Sequence, residues 1–380
     1  MVCYYTWYSN SNSNPVWCKL DRVLLNNEWI EAGLHCHAHF DPPGCFSDHS
    51  PSIVSILDAP TPNPKSFRFF NIWEDHPDFL TTVEDGWNVN VEGTPQFSLC
   101  RKLKALKGPL KAFNNFHFNH ISVRAKETDR ALQVAQIQLE SDLENETIRG
   151  LLGDLRNKAF FIAEIERQFY YQKAKIHFLK IGDRNIKFFH DMVKRNAARS
   201  SILEITKSDG SIVTSAADIG QEFIAYYTSL LCTEVQTLPV NSDVFEGGPK
   251  LSSEHALEFC RVVTPLEVKQ AIFHISDNKA PGSDGYSACF FKRAWNIVGD
   301  QVCTTVLHFF KSGRILRQLN HAIIALVPKS EHCPSVADYR PISCCNVVYK
   351  AITKIIADRF APTLEHFIDR CQTALLGAKI

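Results

Sequence analysis

Three residues near the start of the chain have the types and spacing that acid–base chemistry at a phosphate requires. Asp48 and His49 are adjacent in Ser-Asp-His-Ser-Pro, and Asp21 precedes them in Leu-Asp-Arg-Val-Leu. A histidine beside an aspartate can polarise a phosphate or transfer a proton, and a second carboxylate that accepts its other ring N–H sets the tautomer. An isolated Asp-His pair is more often a surface turn, so the pair alone does not decide between these readings.

Two cations in the last quarter of the chain could bind a triphosphate. Lys329 ends the apolar run Ile-Ile-Ala-Leu-Val-Pro-Lys, and Arg340 lies in Asp-Tyr-Arg-Pro-Ile-Ser. If a hairpin projects both, Arg supplies planar bidentate contacts and Lys a point charge. The alternative is two surface cations on a hairpin.

Small and basic residues on either side of Lys329 and Arg340 in the sequence suggest contacts to a nucleic-acid backbone. Lys279 begins Lys-Ala-Pro-Gly-Ser-Asp-Gly, where Gly282 and Gly285 belong to turn dipeptides and could let a phosphate chain approach. Lys350 and Lys354 fall on the polar side of an amphipathic helix, together with Arg359. The alternatives are ordinary turns and a solvated helix face.

Several elements that would position these residues follow from periodicity and turn chemistry. Residues 20–25 and 52–57 are expected to be strands, and 323–329 a buried strand. The span 127–183 has long helical periodicity with breaks at Gly150 and Gly182, and 202–215 is predicted to form a hairpin around Ser-Asp-Gly. Helices are predicted from 218, from Thr264 with Glu267 in a capping box, and from 347.

Composition narrows the class of protein. The 380 residues carry 41 basic and 41 acidic side chains in total. Between Arg101 and Arg199 there are 20 basic and 11 acidic residues, an excess that weakly suggests a nucleic-acid face but is by itself better explained by a solvated helical surface. Thirteen cysteines without a signal peptide favour an intracellular chain, nuclear or cytoplasmic, with reduced thiols. No run is apolar enough for a membrane span, and His-Cys-His-Ala-His lacks zinc-site spacing, so no metal ligands are predicted.

The order T-W-x-S-N, L-D-R-V-L and S-D-H-S-P resembles the last part of the endonuclease/exonuclease/phosphatase family, particularly the apurinic-type endonuclease of non-LTR retrotransposons. This family is a four-layer α/β sandwich that cuts DNA with a divalent metal. The resemblance implies that His49 faces the scissile phosphate, with Asp48 beside it and Asp21 orienting it. Tyr8 is an insertion in the usual T-W-S-N run.

A second series resembles the fingers of reverse transcriptases from LINE-type retrotransposons, most like those of plants. Its motifs are K-A-P-G-x-D-G, V-P-K, D-Y-R-P-I-S and Y-K-x-I-x-K-I-I-A-x-R, and a motif ending at His190 resembles the helical connector of the same elements. The resemblance implies nucleotide-phosphate contacts by Arg340 and Lys329. It also implies nucleic-acid contacts near Lys279, Gly282, Gly285, Lys350 and Lys354.

The resemblances imply an α+β, multi-part chain: an endonuclease remnant over 1–57, a linker over 58–110, a helical connector over 111–200, a hairpin and helix over 201–257, and incomplete right-hand fingers over 258–380. The parent family uses Mg²⁺ held by carboxylates. The sequence contains no Asp-Asp dipeptide. In the endonuclease family, the metal-binding glutamate and the main aspartate lie upstream of the stretch that matches here. We therefore expect a doubly truncated polyprotein without productive Mg²⁺ binding, polymerase activity or nuclease activity. The partners implied are RNA and DNA, and the alternative function is non-enzymatic nucleic-acid binding.

Overall fold

A computed structural model describes most of the chain. The described residues are 4–9, 14–26, 28–29, 32, 34–45, 47–57, 66–141, 145–174, 192–193, 196, 200–234, 236–237, 239, 246–247, 250–330 and 333–364. The chain divides into two compact units. The first unit comprises Met1–Pro64, Asp183–Thr233 and Pro328–Tyr339, and the second comprises Lys65–Gly182, Glu234–Val327 and Arg340–Ile380.

Helices predominate, and the strands form small two-stranded sheets. The strands are β1 Trp7–Tyr8, β2 Trp17–Cys18, β3 His35–Phe40, β4 Ser52–Leu57, β5 Ile205–Thr206, β6 Ile212–Val213, β7 Ile323–Pro328 and β8 Tyr339–Cys344. The helices are α1 Phe79–Trp87, α2 Pro95–His117, α3 Ile121–Ser141, α4 Glu146–Ala174, α5 Ala216–Cys232, α6 Ser253–Cys260, α7 Pro265–His274, α8 Ala288–Arg293, α9 Trp295–Ser312, α10 Arg317–Asn320 and α11 Val347–Leu364. This mixture agrees with the α+β class, while the four-layer sandwich and the right-hand layout stay expectations.

The N-terminal part of the first unit contains two antiparallel pairs. Strand β1 pairs with β2, and β3 pairs with β4 along their whole length. The strand expected over 52–57 is therefore present, but the one expected over 20–25 is absent. The backbone N–H groups of Leu20 and Asp21 instead donate to the side-chain oxygen of Thr6. A side chain therefore takes the hydrogen bonds that a neighbouring strand would otherwise accept.

The predicted hairpin of the first unit is confirmed. Strands β5 and β6 are antiparallel, and Gly210 takes a φ of 84° in the turn between them. The Asp209 carboxylate accepts from the N–H of Ser211 at 2.8 Å, which explains the preference for aspartate before glycine here. Helix α5 follows, close to its predicted start.

The core of the second unit begins in a region where the sequence analysis expected a linker. Of the expected linker over 58–110, residues 58–65 lie outside the described residues. Helices α1 and α2 occupy most of the remaining part, from 66 to 110. Thr94 caps α2 by accepting from the N–H of Phe97, and Pro95 occupies its first turn. The buried apolar side chains recur at helical spacing: Phe79, Val83 and Trp87 in α1, and Leu99, Leu103, Leu106, Leu110 and Phe113 in α2. The linker prediction over 58–110 is thus corrected, because these two apolar faces pack together.

The same core contains the helices of the predicted fingers. Phe290 in α8, Val302 in α9 and Ile352 in α11 belong to one buried cluster with the α1 and α2 side chains. Gln96 at the start of α2 is buried, and its amide donates to the carbonyl of Arg314 at 2.9 Å. Segments far apart in the sequence therefore share one hydrophobic core.

The connector helices α3 and α4 pack against each other, with Ser122 and Tyr170 in hydrogen-bond contact at 3.0 Å. The break predicted at Gly150 is wrong, since Gly150 lies inside α4 and the described helices end and begin around 141 and 146. A glycine in a helix interior costs only about 1 kcal/mol relative to alanine, which packing readily offsets. Gly182 and the connector motif up to His190 lie outside the described residues.

Strand β7 occurs where a strand was predicted, but it is not buried. Ile323, Ile324 and Val327 are each more than two-fifths exposed, because β7 and β8 form a two-stranded sheet without a covering layer among the described residues. The capping box of α7 is confirmed: Thr264 and Glu267 exchange both bonds. None of the described helices combines the length and apolarity that a bilayer crossing demands.

Candidate functional site

The strand β1 positions the predicted acid–histidine group. On one side Trp7 pairs with Cys18, and on the other it forms an antiparallel bridge with His49. The N–H of Ser50 donates to the carbonyl of Thr6 at 2.7 Å, which holds the Ser-Asp-His-Ser segment against β1. Backbone pairing therefore brings two stretches that are distant in sequence into one ladder.

The structure brings Asp21 and His49 together. Thr6 is fully buried, and its hydroxyl accepts from the N–H of Asp21 at 2.8 Å, fixing the backbone of this residue. The carboxylate of Asp21 then lies 3.0 Å from Nδ1 of His49. Contact at Nδ1 leaves Nε2 for a phosphate or a water, which is the arrangement the resemblance implies.

The electrostatics of this pair favour its charged form. The hydrogen bond from His49, with a further one from Thr6, lowers the pKa of Asp21 below its ordinary value. The same bond raises the pKa of His49 above its ordinary value. Both side chains are more than one-third exposed, so the charged imidazole is accessible to an anion.

Asp48 has a different local role. Its carboxylate accepts from the indole N–H of Trp7 at 2.7 Å, so it is tied to β1 rather than to the imidazole. Mg²⁺ binds near-octahedrally to oxygen ligands, often through one or two carboxylates. Here the Asp21 and Asp48 carboxylates are each engaged by an N–H donor, and the described residues of the first unit place no third carboxylate with them. These residues do not fit a Mg²⁺ site.

The predicted triphosphate cations lie in different units. In the first unit, the Lys329 ammonium donates to the backbone carbonyl of Ala337 at 2.7 Å. The backbone N–H of Lys329 donates to the backbone carbonyl of Asp338. In the second unit, Arg340 is the exposed second residue of β8. Lys329 thus has a local partner that a nucleotide would have to replace, and nucleotide binding by either residue stays a prediction.

The loop from Lys279 to Gly285 is held from inside the second unit. Asn346 accepts from the N–H of Asp284 at 3.2 Å and donates to the carbonyl of Gln318 at 3.0 Å. A Cβ on Gly282 would lie 2.2 Å from the Asn346 side-chain oxygen, and one on Gly285 would lie 2.1 Å from the carbonyl oxygen of Phe67. Both glycines are buried against protein, so the close approach they permit is internal, and their contact with nucleic acid stays a prediction.

The loop encloses a carboxylate that the sequence analysis did not single out. Asp284 accepts from the N–H of Tyr286 at 3.1 Å, while its Oδ2 is buried without a hydrogen-bond partner among the described residues. Burial raises the pKa of Asp284 to about 6, despite the nearby charges of Lys107 and Lys350. Tyr286 is fully buried, and its hydroxyl donates to the carbonyl of Leu103 at 2.8 Å.

The predicted lysines of α11 also have partners in the second unit. The Lys350 ammonium donates to the carbonyl of Ala280 at 2.6 Å, and burial lowers the pKa of Lys350. Lys354 pairs with Asp358 at 2.6 Å on the exposed face of the helix. Lys279 is exposed at the mouth of a cleft, where its side chain is available to a ligand.

That cleft has a volume of about 560 Å³ and lies wholly within the second unit. Three cations and three aromatic residues line it: Arg68, Lys173, Lys279, Phe69, Phe70 and Tyr171. Its acidic residue, Asp277, has a cationic partner, since its carboxylate lies 2.8 Å from the ammonium of Lys292. The cleft therefore has a basic lining with aromatic faces, which suits a phosphate backbone and stacked bases.

The cleft is formed by contacts between the end of α4 and the residues before α1. Gln172 accepts from the N–H of Asn71 at 2.9 Å and donates to the carbonyl of Phe69. Asn71 in turn accepts from the hydroxyl of Ser287 at 2.9 Å. The sequence analysis missed both cations, because Arg68 lies inside the expected linker and Lys173 is one of many lysines in the expected connector.

Comparison with known proteins gives two relatives from transposable elements. The "Transposon TX1 uncharacterized 149 kDa protein" of Xenopus laevis is 21% identical over 355 residues, covering 92% of this chain and 27% of the relative. The "Retrovirus-related Pol polyprotein from type-1 retrotransposable element R2" of Bradysia coprophila is 30% identical over 115 residues, covering 30% of this chain and 12% of the relative. No protein-family profile matches the chain.

The chain thus spans 27% and 12% of the lengths of these two relatives. Its homologues are transposon and retrotransposable-element proteins, so the resemblance to a retrotransposon polyprotein is confirmed at that level. A plant origin, the domain boundaries and the roles of individual residues stay predictions.

Proposed function

We propose that the chain is a segment of a non-LTR retrotransposon polyprotein whose second unit binds single-stranded nucleic acid in the Arg68–Lys173–Lys279 cleft. The observation that carries this proposal is the basic and aromatic lining of the cleft, together with the pairing of Asp277 with Lys292. Phosphates neutralise the cations and bases stack on Phe70 and Tyr171. The relatives support a nucleic-acid context through the retrotransposable element that one of them is named for.

The salt dependence of binding to a fluorescein-labelled single-stranded RNA tests this proposal. Three phosphate contacts predict a slope of log K against log salt of about −2, since each contact on a single strand contributes roughly −0.7. Lys279→Ala removes one contact and is expected to weaken binding and to reduce the slope by about 0.7. Lys311→Ala, an exposed lysine at the end of α9, is the matched control. Binding that is flat in salt, or equal losses in both variants, would contradict the cleft as the site.

We also propose that residues 4–57 are an endonuclease-like segment and that the 380-residue chain does not cut DNA. The Asp21–His49 contact supports the family resemblance, but the described residues of the first unit place no third carboxylate beside Asp21 and Asp48 to complete a Mg²⁺ site. Polymerase activity is not expected either, because the sequence has no Asp-Asp dipeptide. Incubation of supercoiled plasmid with the chain and Mg²⁺ is expected to give no nicked circles. Nicking that disappears with His49→Ala would show that the site is competent.

A further inference from the structure

Three metal-binding side chains meet at one end of the α1–α2 pair. Asp78 is the residue before α1, His76 lies two residues earlier, and His117 is the last residue of α2. One ligand atom from each lies within 4.8 Å of the other two. The sequence analysis did not predict this group, because α2 and its packing against α1 are what bring His117 to the other two residues.

The spacing of these atoms is close to that of a metal site. Oδ2 of Asp78 lies 3.8 Å from Nδ1 of His76 and 3.8 Å from Nε2 of His117. Both separations are too long for hydrogen bonds. Ligands at about 2.0–2.2 Å from a tetrahedral Zn²⁺ lie about 3.3 Å apart, so each of the two distances to Asp78 exceeds this spacing by roughly 0.5 Å. The two imidazole nitrogens lie within 4.8 Å of each other, so the rings must also approach one another when the ion binds.

The surroundings hold the two imidazoles in place. Their ring centroids are 3.9 Å apart, and both rings pack against Phe113 and Phe118. The N–H of Asp78 donates to Nδ1 of His76 at 3.2 Å, which requires a lone pair on that nitrogen. The Asp78 side chain is 66% exposed and can rotate toward the rings. An apolar wall behind two oriented imidazoles, with a movable carboxylate at the solvent side, is a suitable donor set for Zn²⁺.

We propose that His76, Asp78 and His117 bind a Zn²⁺ ion, with water in the fourth position. The ion joins the residues before α1 to the end of α2 and so closes this pair of helices. The lone pair of His76 Nδ1 that now accepts the Asp78 N–H is the one that the ion takes. This site is separate from the nucleic-acid cleft, whose lining includes none of the three residues.

Titration of the full chain with Co²⁺, under conditions that keep its thiols reduced, tests the site. Tetrahedral Co²⁺ absorbs in the visible, and cysteine ligation adds a thiolate charge-transfer band in the near ultraviolet. We expect visible absorption from one site without that band, and displacement of Co²⁺ by Zn²⁺. Asp78→Asn and His117→Gln should each weaken binding at least about tenfold. The matched controls, Asp75→Asn and His321→Gln, change exposed residues outside the group and should bind as the parent does.

Asp78→Asn keeps the test decisive if His117→Gln disturbs the aromatic packing. The Asp78 side chain makes no cap hydrogen bond to α1, so replacing it with asparagine should leave the fold intact. Circular dichroism of the variant verifies this. No Co²⁺ binding by the folded parent would overturn the proposal. Binding dominated by a thiolate band and unchanged in Asp78→Asn would overturn it as well, because the ion would then lie on cysteines.

Discussion

The guanidinium of Arg359, near the end of α11, forms an ion pair with both carboxylate oxygens of Glu267 in the first turn of α7. Its Nη2 lies 3.0 and 3.1 Å from the two oxygens, and its Nη1 donates to the backbone carbonyls of Phe259 and Arg261. The Arg359 side chain is only 11% exposed. A residue expected on the polar face of its helix therefore connects α11 to α7 and to the chain just before it.

Breaking this pair should destabilise the second unit. Arg359→Gln removes the bidentate partner of the Glu267 carboxylate, to which Thr264 and Arg261 still donate, and leaves two backbone carbonyls without this donor. We therefore expect a loss of about 2–4 kcal/mol in the free energy of unfolding. Lys354→Gln breaks the exposed pair with Asp358 on the same helix and should cost less than about 0.5 kcal/mol. Urea unfolding followed by circular dichroism measures both. Similar midpoints for the two variants would mean that the buried pair contributes no more than a surface pair.

Gly285 should be far less tolerant of alanine than another glycine of similar backbone conformation. It has a φ of 82°, and an added Cβ would lie 2.1 Å from the carbonyl oxygen of Phe67. Gly313, after α9, has a φ of 66° with nothing within 4 Å of its Cβ position. Gly313→Ala should cost about 1 kcal/mol, from the left-handed conformation alone.

For Gly285→Ala we expect a loss of at least about 3 kcal/mol, because the backbone of Phe67 must move as well. Thermal unfolding of both variants gives the comparison. Equal losses would show that Phe67 can shift freely, and the loop would then not be locked as its contacts indicate.

Asp284 should make the second unit more stable as the pH falls from 7 toward 4. Burial raises the folded-state pKa to about 6, above the ordinary value of 3.8. Between these values the folded chain holds a proton that the unfolded chain has released, so folding is favoured by lower pH. Asp284→Asn keeps an acceptor for the N–H of Tyr286 without the charge, and should add about 2 kcal/mol of stability at pH 7.

The measurement is the free energy of unfolding between pH 4 and 7 for the parent and for Asp284→Asn. The difference between them should grow with pH and level off above about pH 7, which isolates Asp284 from other titrating groups. A constant difference across this range would mean that the carboxylate does not change its protonation on folding.

The contact between Asp21 and His49 should be visible in the titration of the imidazole. Asp21→Asn removes the carboxylate whose hydrogen bond raises the pKa of His49, so that pKa should fall toward its ordinary value. Asp48→Asn changes only a weak electrostatic contribution, because the Asp48 carboxylate is bonded to Trp7. The ring-proton resonance of His49, assigned with His49→Gln, follows both variants. A larger fall with Asp48→Asn would identify Asp48 as the partner.

Local signals in the sequence predicted local structure well. The Thr264–Glu267 capping box, the turn at Gly210 and the strand before Lys329 all occur where expected. Each depends on hydrogen bonds or backbone preferences within a few residues, so neighbouring side chains are sufficient to determine it. The pairing of Asp21 with His49 was implied by family resemblance, since no local rule connects residues on two separate segments.

Tertiary packing determined which residues of the helices and loops are buried and which side chains they contact. Residues 79–110 form part of the hydrophobic core, because the apolar faces of α1 and α2 are buried by each other and by α9. Helical periodicity alone predicts that Lys350 and Arg359 face solvent, but both donate hydrogen bonds to acceptors on other segments. Gly282 and Gly285 pack against protein atoms of Asn346 and Phe67. The His76–Asp78–His117 group likewise exists only when α2 packs back against α1. Periodicity identifies the apolar face of a helix, but what that face contacts depends on residues brought together only by folding.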